Sequence, residues 1–194
     1  MPQPDDIIAA ARRGDEDACQ QLLERLYPQV IAIVRNHLPN TEDEQDLTQE
    51  VFMKVFTRLS QYNSSKPLEH WVSRIAINTC YDRLRHQRVR SRVVSYSDLN
   101  VEESTFLERA LQEETDQADP VDQGESAGDL VEKLIQSLNP REQIAIRLLD
   151  LEERSVKETC DITGWSASKV KMTAMRARRK LSKALERLER GPRP

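Results

Sequence analysis

Residues 155–180 read SVKETCDITGWSASKVKMTAMRARRK, and this stretch decides how the chain folds. Ser155 followed by Glu158 predicts a capping box at the start of a short helix. Gly164 tolerates the left-handed conformation that ends helices, and either serine of residues 166–168 can cap the longer helix that follows. A short helix, a glycine turn and a longer helix form the layout of a helix-turn-helix, which reads duplex DNA.

The longer helix has an apolar side and a cationic side. Its apolar residues recur at three- and four-residue spacing and predict one packing stripe: Val170, Ala174, Ala177, Leu181, Leu185 and Leu188. Residues 166–194 hold ten Lys/Arg against two Asp/Glu, net +8, whereas the whole chain carries −4. A cationic helix alone is more often a solvated surface. Cations concentrated on one helix of an acidic chain favour contact with phosphates.

Composition predicts an all-α fold. The chain has 194 residues, 38% hydrophobic and 32% charged, with 5 Gly, and no segment alternates with period two. Cys19, Cys80 and Cys160 match neither a disulfide framework nor metal-ligand spacing, which favours a reducing compartment. The amino terminus lacks a secretory signal, and the longest apolar stretch is too short to cross a bilayer. We therefore expect a soluble cytoplasmic protein with no membrane insertion.

An acidic segment divides the chain. Residues 98–129 hold eleven Asp/Glu against one Arg, net −10, and such a run repels itself. We therefore expect two small helical domains, residues 1–92 and 128–194, joined by an acidic flexible linker over residues 93–127.

The first domain shows a series of helix signals. Apolar stripes are interrupted at Gly14, Pro28 and Pro39, which predicts three short helices. Thr41 with Glu44 predicts a capped helix with an acidic outer face, and the polar loop of residues 63–67 precedes another helix. Residues 66–92 hold seven Lys/Arg against two Asp/Glu, net +5.

The second domain begins with two helices ahead of the helix-turn-helix. Residues 139–142 read NPRE, which combines an N-cap, a proline at the first helical position and a glutamate at the third.

Three segments together resemble a bacterial RNA polymerase sigma factor of the extracytoplasmic-function branch, the minimal two-domain kind. They are DEQDLTQEVFMKVF (43–56), LEHWVSRIAINTCYDRLR (68–85) and the terminal helix-turn-helix. The resemblance covers both domains, and only the acidic linker is unmatched.

The first segment, by this resemblance, docks on the clamp helices of the polymerase β′ subunit. The residues it implies are Asp43, Asp46, Gln49 and Glu50. An acidic, amide-rich helix face suits a partner with basic side chains better than it suits DNA.

The second segment is implied to recognise the −10 promoter element and to hold the separated strand. The resemblance gives the wall of a base pocket to Asn63, Ser64, Ser65 and Lys66. It places near the DNA Asn78, Asp82, Arg83 and Arg85. Small polar loop residues can hydrogen-bond an extruded base. Trp71 is in register with Leu68 and Ile75 and is expected in the core.

The third segment is implied to enter the major groove at the −35 element. The residues facing the groove would be Lys171, Met172, Thr173, Met175 and Arg176, and those nearer the phosphates would be Lys169, Arg178 and Arg179. Thr173 and Met175 depart from the charged base readers of many relatives, so a −35 sequence preference does not carry over.

The resulting hypothesis is a non-enzymatic promoter-specificity subunit. Its partners would be core RNA polymerase, promoter DNA and an anti-sigma factor, with no cofactor, metal or small-molecule substrate. One alternative is a stand-alone helix-turn-helix regulator that does not bind core polymerase. Another is a metal-dependent hydrolase, which His37, His70 and His86 do not support because none forms a metal-ligand pair at helical spacing.

Overall fold

A computed structural model describes residues 4–38, 44–94 and 127–190, and within those ranges it contains helices and no strand. The predicted all-α class is confirmed. The first module contains α1 (Pro4–Arg12), α2 (Glu16–His37), α3 (Glu44–Arg58), a 3₁₀ turn (Leu59–Gln61) and α4 (Leu68–Val94). The second contains α5 (Ala127–Gln136), α6 (Pro140–Ile146), a π-helical turn (Arg147–Leu151), α7 (Val156–Thr163) and α8 (Ala167–Arg190).

The first module encloses one apolar core between its four helices. Leu26 and Val30 of α2 are buried, as are Val51 of α3 and Val72 of α4. Phe52, Tyr62 and Trp71 pack at its edge, and the Tyr62 and Trp71 rings lie 5.6 Å apart. Trp71 was expected in the core. It packs against the core from its edge and is half-buried.

The predicted helix break at Pro28 is wrong, since α2 continues through it. Proline removes the hydrogen bond to the carbonyl of Glu24, four residues earlier. Both residues are exposed, so water can hydrate that carbonyl, while Leu26 and Val30 anchor the helix on its other side. The predicted break at Gly14 is confirmed, with φ at +84° between α1 and α2. Pro39 and Thr41 lie outside the described residues.

The predicted caps of the second module are confirmed. Asn139 Oδ1 accepts a hydrogen bond from the Glu142 backbone at 3.0 Å, and Glu142 Oε2 accepts one from the Asn139 backbone at 3.1 Å. Ser155 and Glu158 form the same reciprocal pair at the start of α7. Gly164 ends α7 with φ at +75°, a conformation that side chains disfavour. Local contacts thus specify where α7 begins and where it ends.

The apolar stripe of α8 is shorter than predicted. Val170, Ala174, Ala177 and Ala184 are buried, whereas Leu185 is 44% exposed and Leu188 is 40% exposed. The seven-residue step from Ala177 leads to Ala184 rather than Leu185, which is rotated off the packing face. The last turns of α8 therefore have an apolar exposed side.

The two modules pack against each other, which the sequence did not predict. Ile77 and Leu84 of α4 form a buried cluster with Ile144 and Leu148 of the second module. Burial of each such side chain contributes about 1.5–3 kcal/mol. The ion pair between Lys66 and Asp161 also joins the modules, but its side chains are 52% and 43% exposed. An exposed pair contributes only about 0–1 kcal/mol, so the apolar cluster stabilises the contact between the modules more than this pair does.

Candidate nucleic-acid interface

An acidic and amide-bearing line runs along the outside of α3. Asp46 and Gln49 are exposed, and Met53, one further helical turn along, is 64% exposed. Their three- and four-residue spacing puts them on one face. We call Asp46, Gln49, Glu50 and Met53 the docking ridge. Asp43, predicted to belong to the same surface, lies outside the described residues.

Glu50 is tied into its own module. Its carboxylate lies 2.7 Å from Nζ of Lys54 and 3.3 Å from Nη2 of Arg83. The hydrogen bond from Lys54, helped by Arg83, holds the pKa of Glu50 below its ordinary value against the opposing effect of burial. Glu50 is therefore ionised at neutral pH and joins α3 to α4.

Met53 is the member of the docking ridge that the sequence analysis missed. Close by, Tyr27 is 45% exposed and stacks on Phe52, with ring centroids 6.3 Å apart. Exposed apolar side chains beside a polar line are typical of protein interfaces. The signal was available, because Met53 follows Gln49 by one helical turn.

The loop ahead of α4 is held in one conformation. Asn63 Oδ1 accepts hydrogen bonds from the Ser65 backbone at 3.2 Å and from the Ser65 hydroxyl at 2.7 Å. The Tyr62 hydroxyl donates to the Lys66 carbonyl at 2.7 Å, which closes the loop. Ser64 adopts φ of +56°, rare for a residue with a side chain. The four predicted loop residues are therefore together, exposed and preorganised.

A polar face on α4 continues from this loop. Arg74, Asn78, Asp82 and Arg85 repeat at four- and three-residue spacing and share one side of the helix. With Lys66 they form what we call the strand face. Arg83 does not belong to it, because its guanidinium turns toward Glu50. The structure thus separates Arg83 from the other three helix residues predicted for the −10 contact.

A cavity of about 210 Å³ opens on the strand face. It is lined by three cations, two amides, a carboxylate, a hydroxyl and two apolar side chains: Lys54, Arg58, Arg74, Gln61, Asn78, Asp82, Thr79, Trp71 and Ile75. An aromatic wall, amide groups and nearby cations suit a nucleic base and its phosphate. The resemblance gave the pocket wall to residues 63–66, none of which lines this cavity, whereas the cations that do line it, Lys54, Arg58 and Arg74, were not predicted. The four-residue spacing of Arg74 and Asn78 could have revealed the last of these.

The exposed surface of α8 has a central line and two flanks. Met172, Met175 and Arg179 lie directly opposite the buried stripe, and the two methionines are 44% and 56% exposed. One flank carries Lys171 and Arg178. The other flank carries Lys169, Thr173 and Arg176, of which Thr173 is half-buried. All eight predicted −35 residues therefore lie on one helix, spread over three faces.

Two of the α8 cations predicted to contact the −35 element are engaged within the chain. Arg178 binds Asp150 through both ends of its guanidinium, at 3.1 Å from Nε and 2.5 Å from Nη2. This bond raises the pKa of Arg178 above its ordinary value. Lys169 places Nζ 5.4 Å from the centroid of the Trp165 ring. These contacts hold both side chains against residues of the second module.

Other kinds of site are not found in the part of the chain that the structure describes. Residues 4–38, 44–94 and 127–190 contain no group of three or more His, Cys, Asp and Glu side chains able to hold a metal ion. Among the same residues, no helix combines the length and the apolar character needed to span a bilayer.

Two family models match the chain. Residues 22–90 match sigma-70 region 2, which includes the docking ridge and the strand face. Residues 128–181 match sigma-70 region 4, which includes the helix-turn-helix. Together the two regions cover more than half of the chain, in the order the sequence analysis expected.

Relatives match over nearly the whole length. The chain is 27% identical over 192 residues to RNA polymerase sigma-H factor of Pseudomonas aeruginosa, covering 97% of this chain and 96% of the relative. It is 25% identical over 185 residues to the extracytoplasmic-function sigma-E factor of Escherichia coli K12, covering 95% of each. The solved structure of sigma factor RpoE from Bartonella quintana, in complex with the anti-sigma factor NepR, superposes with a TM-score of 0.55. That match, at 20% identity, covers 86% of this chain and 96% of the other and supports the fold.

The fold, the two matched regions and the full-length relatives define a promoter-specificity factor of bacterial RNA polymerase. The chain belongs to the sigma-70 family and is a sigma factor of the extracytoplasmic-function branch. A stand-alone regulator is not favoured, because region 2 has no place in a simple helix-turn-helix protein.

Proposed function

We propose that this chain acts through three surfaces, each carrying one step of promoter-directed initiation. The docking ridge binds core RNA polymerase, the strand face holds the opened −10 strand, and α8 reads the −35 duplex. The observation that carries this proposal is that the ridge and the strand face lie on adjacent helices of one module, joined by the contact between Glu50 and Arg83. Binding polymerase through α3 then fixes where the strand face lies.

Docking rests on complementary charge and one apolar anchor. Asp46 and Gln49 offer oxygens to basic groups of the β′ clamp helices, and Met53 fills an apolar hollow between them. Glu50 acts less by direct contact than by holding α3 against α4 through its ion pair with Arg83. Charge complementarity sets partner choice and association rate, while the buried apolar side chain adds affinity.

Strand capture uses the loop of residues 63–66 and the cavity between α3 and α4. The polar loop contacts an extruded base, and Asn78 and Asp82 hydrogen-bond its edge within the cavity. Arg58 and Arg74 neutralise the adjacent phosphates, because both line the same cavity. Arg85 extends this cationic track along α4.

Duplex reading uses the outer surface of α8. Met172 and Met175 present apolar contacts to the groove, where the thymine methyl group is an apolar target. Lys171 and Arg176 flank them at the groove edges, and Arg178 and Arg179 reach the phosphates. The helix-turn-helix geometry that positions α8 is fixed by the caps at Ser155 and Gly164.

The chain is proposed to work as a non-catalytic cytoplasmic factor built of residues 1–92 and 128–194, with residues 93–127 as the connector. Tethering two weak DNA contacts raises their combined affinity, and the connector must match the distance between the promoter elements. A regulatory anti-sigma factor is the further partner. The Bartonella quintana relative is seen with one, and the full-length similarity supports the same kind of control here.

The docking step can be tested with matched charge reversals. Asp46→Arg should weaken binding to purified core polymerase about tenfold or more, equivalent to about 1.4 kcal/mol. Glu24→Arg makes the same charge change on the exposed side of α2 and should change the affinity less than about twofold. Equal affinities for the two variants, measured by fluorescence anisotropy, would remove the docking ridge from the proposal.

A further inference from the structure

The loop of residues 63–66 is held from α1, a helix that lies ahead of the residues matching sigma-70 region 2. Arg12, in the last turn of α1, donates from Nε to the carbonyl of Leu59 at 3.1 Å. Its Nη2 donates to the carbonyl of Tyr62. Leu59 begins the 3₁₀ turn and Tyr62 directly precedes the loop, so one guanidinium spans the whole turn. We call these two hydrogen bonds the brace.

The apolar side of α1 sets the position of Arg12. Ile8 and Ala11 are 6% and 7% exposed and belong to the core of the first module. Arg12 follows Ala11 by one residue, about 100° around the helix, so it lies at the border of the packed side. Arginine fits this border because its planar guanidinium presents several N–H donors in a fixed arrangement, which one carbonyl alone does not occupy.

Tyr62 connects the brace to the loop and to the cavity of the strand face. Its side chain is buried, and its hydroxyl donates to the carbonyl of Lys66 at 2.7 Å. Its ring lies 5.6 Å from the ring of Trp71, which lines the cavity. A displacement of Tyr62 would therefore move the end of the loop and the aromatic wall of the cavity together.

The loop itself adopts a conformation that needs support from outside. Ser64 has φ of +56°, and a residue with a side chain keeps such a conformation only where its surroundings impose it. Within the loop, Asn63 Oδ1 accepts the hydrogen bonds of the Ser65 backbone and hydroxyl. The two ends are held by groups outside the loop, Arg12 at one end and the Tyr62 hydroxyl at the other. Loss of either contact should increase the number of loop conformations.

We propose that Arg12 and Tyr62 are positioning residues for strand capture: they hold the loop of residues 63–66 in the conformation that accepts an extruded base. Both act through the loop and not by contact with DNA. This inference deepens the proposed function and rests on it for the role of the loop, although the brace is a property of the free chain. It gives α1 a part in promoter opening.

Hydrogen exchange in the free chain tests the brace without polymerase. Arg12→Ala removes both hydrogen bonds, and Arg13→Ala removes the neighbouring exposed arginine. We expect peptides that span residues 59–67 to take up deuterium at least threefold faster in Arg12→Ala than in the wild type. Peptides from residues 72–84 of α4 should exchange at the wild-type rate, which shows that the module is folded. Equal uptake by the loop peptides of both variants would overturn the proposal.

Strand binding tests whether the braced loop matters for promoter opening. The probe is a labelled single strand of about 15 nucleotides that carries the −10 element of a promoter mapped with the wild-type chain and core polymerase. Holoenzyme with Arg12→Ala should bind this strand about fivefold more weakly, because a smaller fraction of its loops is competent. The affinity of the variant for core polymerase should be unchanged, and Arg13→Ala should match the wild type in both measurements. Wild-type strand affinity for Arg12→Ala would overturn the proposal.

The salt dependence of strand binding separates positioning from a phosphate contact. If Arg12 contacted one phosphate of the strand, its removal would lower the slope of log affinity against log salt by about 0.7. A positioning residue changes the affinity and leaves this slope as it is in the wild type. A slope lowered by about 0.7 in Arg12→Ala would contradict the proposal and make Arg12 a direct phosphate contact.

Tyr62→Phe tests the other end of the loop without any change in charge. It removes the hydroxyl that binds the Lys66 carbonyl and retains the ring beside Trp71. Strand binding should weaken about threefold. Because both substitutions act on one loop, the variant that combines them should lose less than the product of the two separate losses. Losses that multiply fully would show that Arg12 and Tyr62 act independently and would contradict the proposal.

Failure of this inference can be told apart from failure of the proposed function. If core polymerase does not bind the chain, or if no promoter can be mapped, the proposed function fails, and hydrogen exchange in the free chain still decides whether Arg12 holds the loop. If the wild-type holoenzyme binds the strand and both Arg12→Ala and Tyr62→Phe bind it equally well, the inference alone fails.

Discussion

His37 at the end of α2 and Glu152 after the π-helical turn meet across the boundary between the two modules. Nε2 of the fully buried imidazole lies 3.2 Å from Oε1 of Glu152. Arg154 lies on the other side of the same carboxylate, with Nε 3.5 Å from Oε2. Burial of Glu152 acts to raise its pKa. The interactions of the carboxylate with His37 and with Arg154 act in the opposite direction and outweigh burial, so the pKa of Glu152 lies below its ordinary value of 4.5.

Acid should therefore separate the modules. A depressed carboxyl pKa in the packed state contributes stability that is fully present above pH 4.5 and is lost as the pH falls through the lowered value. The hydrogen bond from Lys66 also lowers the pKa of Asp161, whose contribution is present above its ordinary value of 3.8 and is lost as the pH falls below it. We expect the radius of gyration from small-angle scattering to be constant from neutral pH to about 4.5 and to increase below it.

The contribution of Glu152 is isolated by a neighbouring substitution. Glu152→Gln should enlarge the chain at neutral pH and weaken the dependence on acid, whereas Glu153→Gln, one residue along and exposed, should behave as the wild type. Identical scattering of the two variants at every pH would show that Glu152 does not stabilise the packed modules.

Arg178 should become a stronger phosphate contact when it is released from Asp150. Asp150→Asn removes the carboxylate that binds both ends of the guanidinium. Duplex DNA affinity should rise a few-fold, and the slope of log affinity against log salt should steepen by about 1. Glu186→Gln, which also removes one negative charge from an exposed position near this surface, tests for a general charge effect. Equal gains from both variants would argue against a specific role for Arg178.

Arg58 should contribute to formation of the open promoter complex and not to binding of core polymerase. It lines the cavity of the strand face, so Arg58→Ala should slow open-complex formation by the reconstituted holoenzyme several-fold, with unchanged affinity for core polymerase. Arg13 is also an exposed arginine and directly follows α1, so Arg13→Ala is the control and should leave the rate unchanged. A normal rate for Arg58→Ala would mean that the cavity does not hold the strand.

Loss of the cap at Ser155 should destabilise the helix-turn-helix. Its side chain accepts a hydrogen bond from the Glu158 backbone at 3.2 Å, and replacing such a cap with alanine costs about 1 kcal/mol. The midpoint of urea unfolding, followed by circular dichroism, should fall for Ser155→Ala. Ser182 is exposed and lies in the middle turns of α8, so Ser182→Ala should not lower the urea midpoint. An unchanged midpoint for Ser155→Ala would show that the cap does not stabilise the folded chain.

The helices and caps could be predicted from the sequence because their signals are local. Ser155, Asn139 and Gly164 each act within a few residues of themselves, and each behaves as its type predicts. The break predicted at Pro28 does not occur, since a proline signal takes no account of the side of the helix that faces water. Leu188 is exposed despite its spacing, because apolar spacing does not show where a packing partner ends.

The strand face and the contact between the modules depend on distant residues. Arg58 and Arg74 are 16 positions apart and belong to different helices, so only the packing of α3 on α4 brings them to one cavity. Leu84 reads as part of an ordinary amphipathic helix, and nothing in its neighbourhood indicates that Ile144 covers it. The acidic connector even suggested independent modules, since charge composition carries no information about a contact between two apolar faces.

The central claim is that the chain directs core polymerase to two-element promoters. Purified core polymerase should be combined with the chain on fragmented genomic DNA, and the 5′ ends of all transcripts mapped by sequencing. We expect a set of starts absent with core polymerase alone and preceded by two shared elements, one near −35 and one near −10. Transcripts identical with and without the chain, despite a stable complex, would contradict the account.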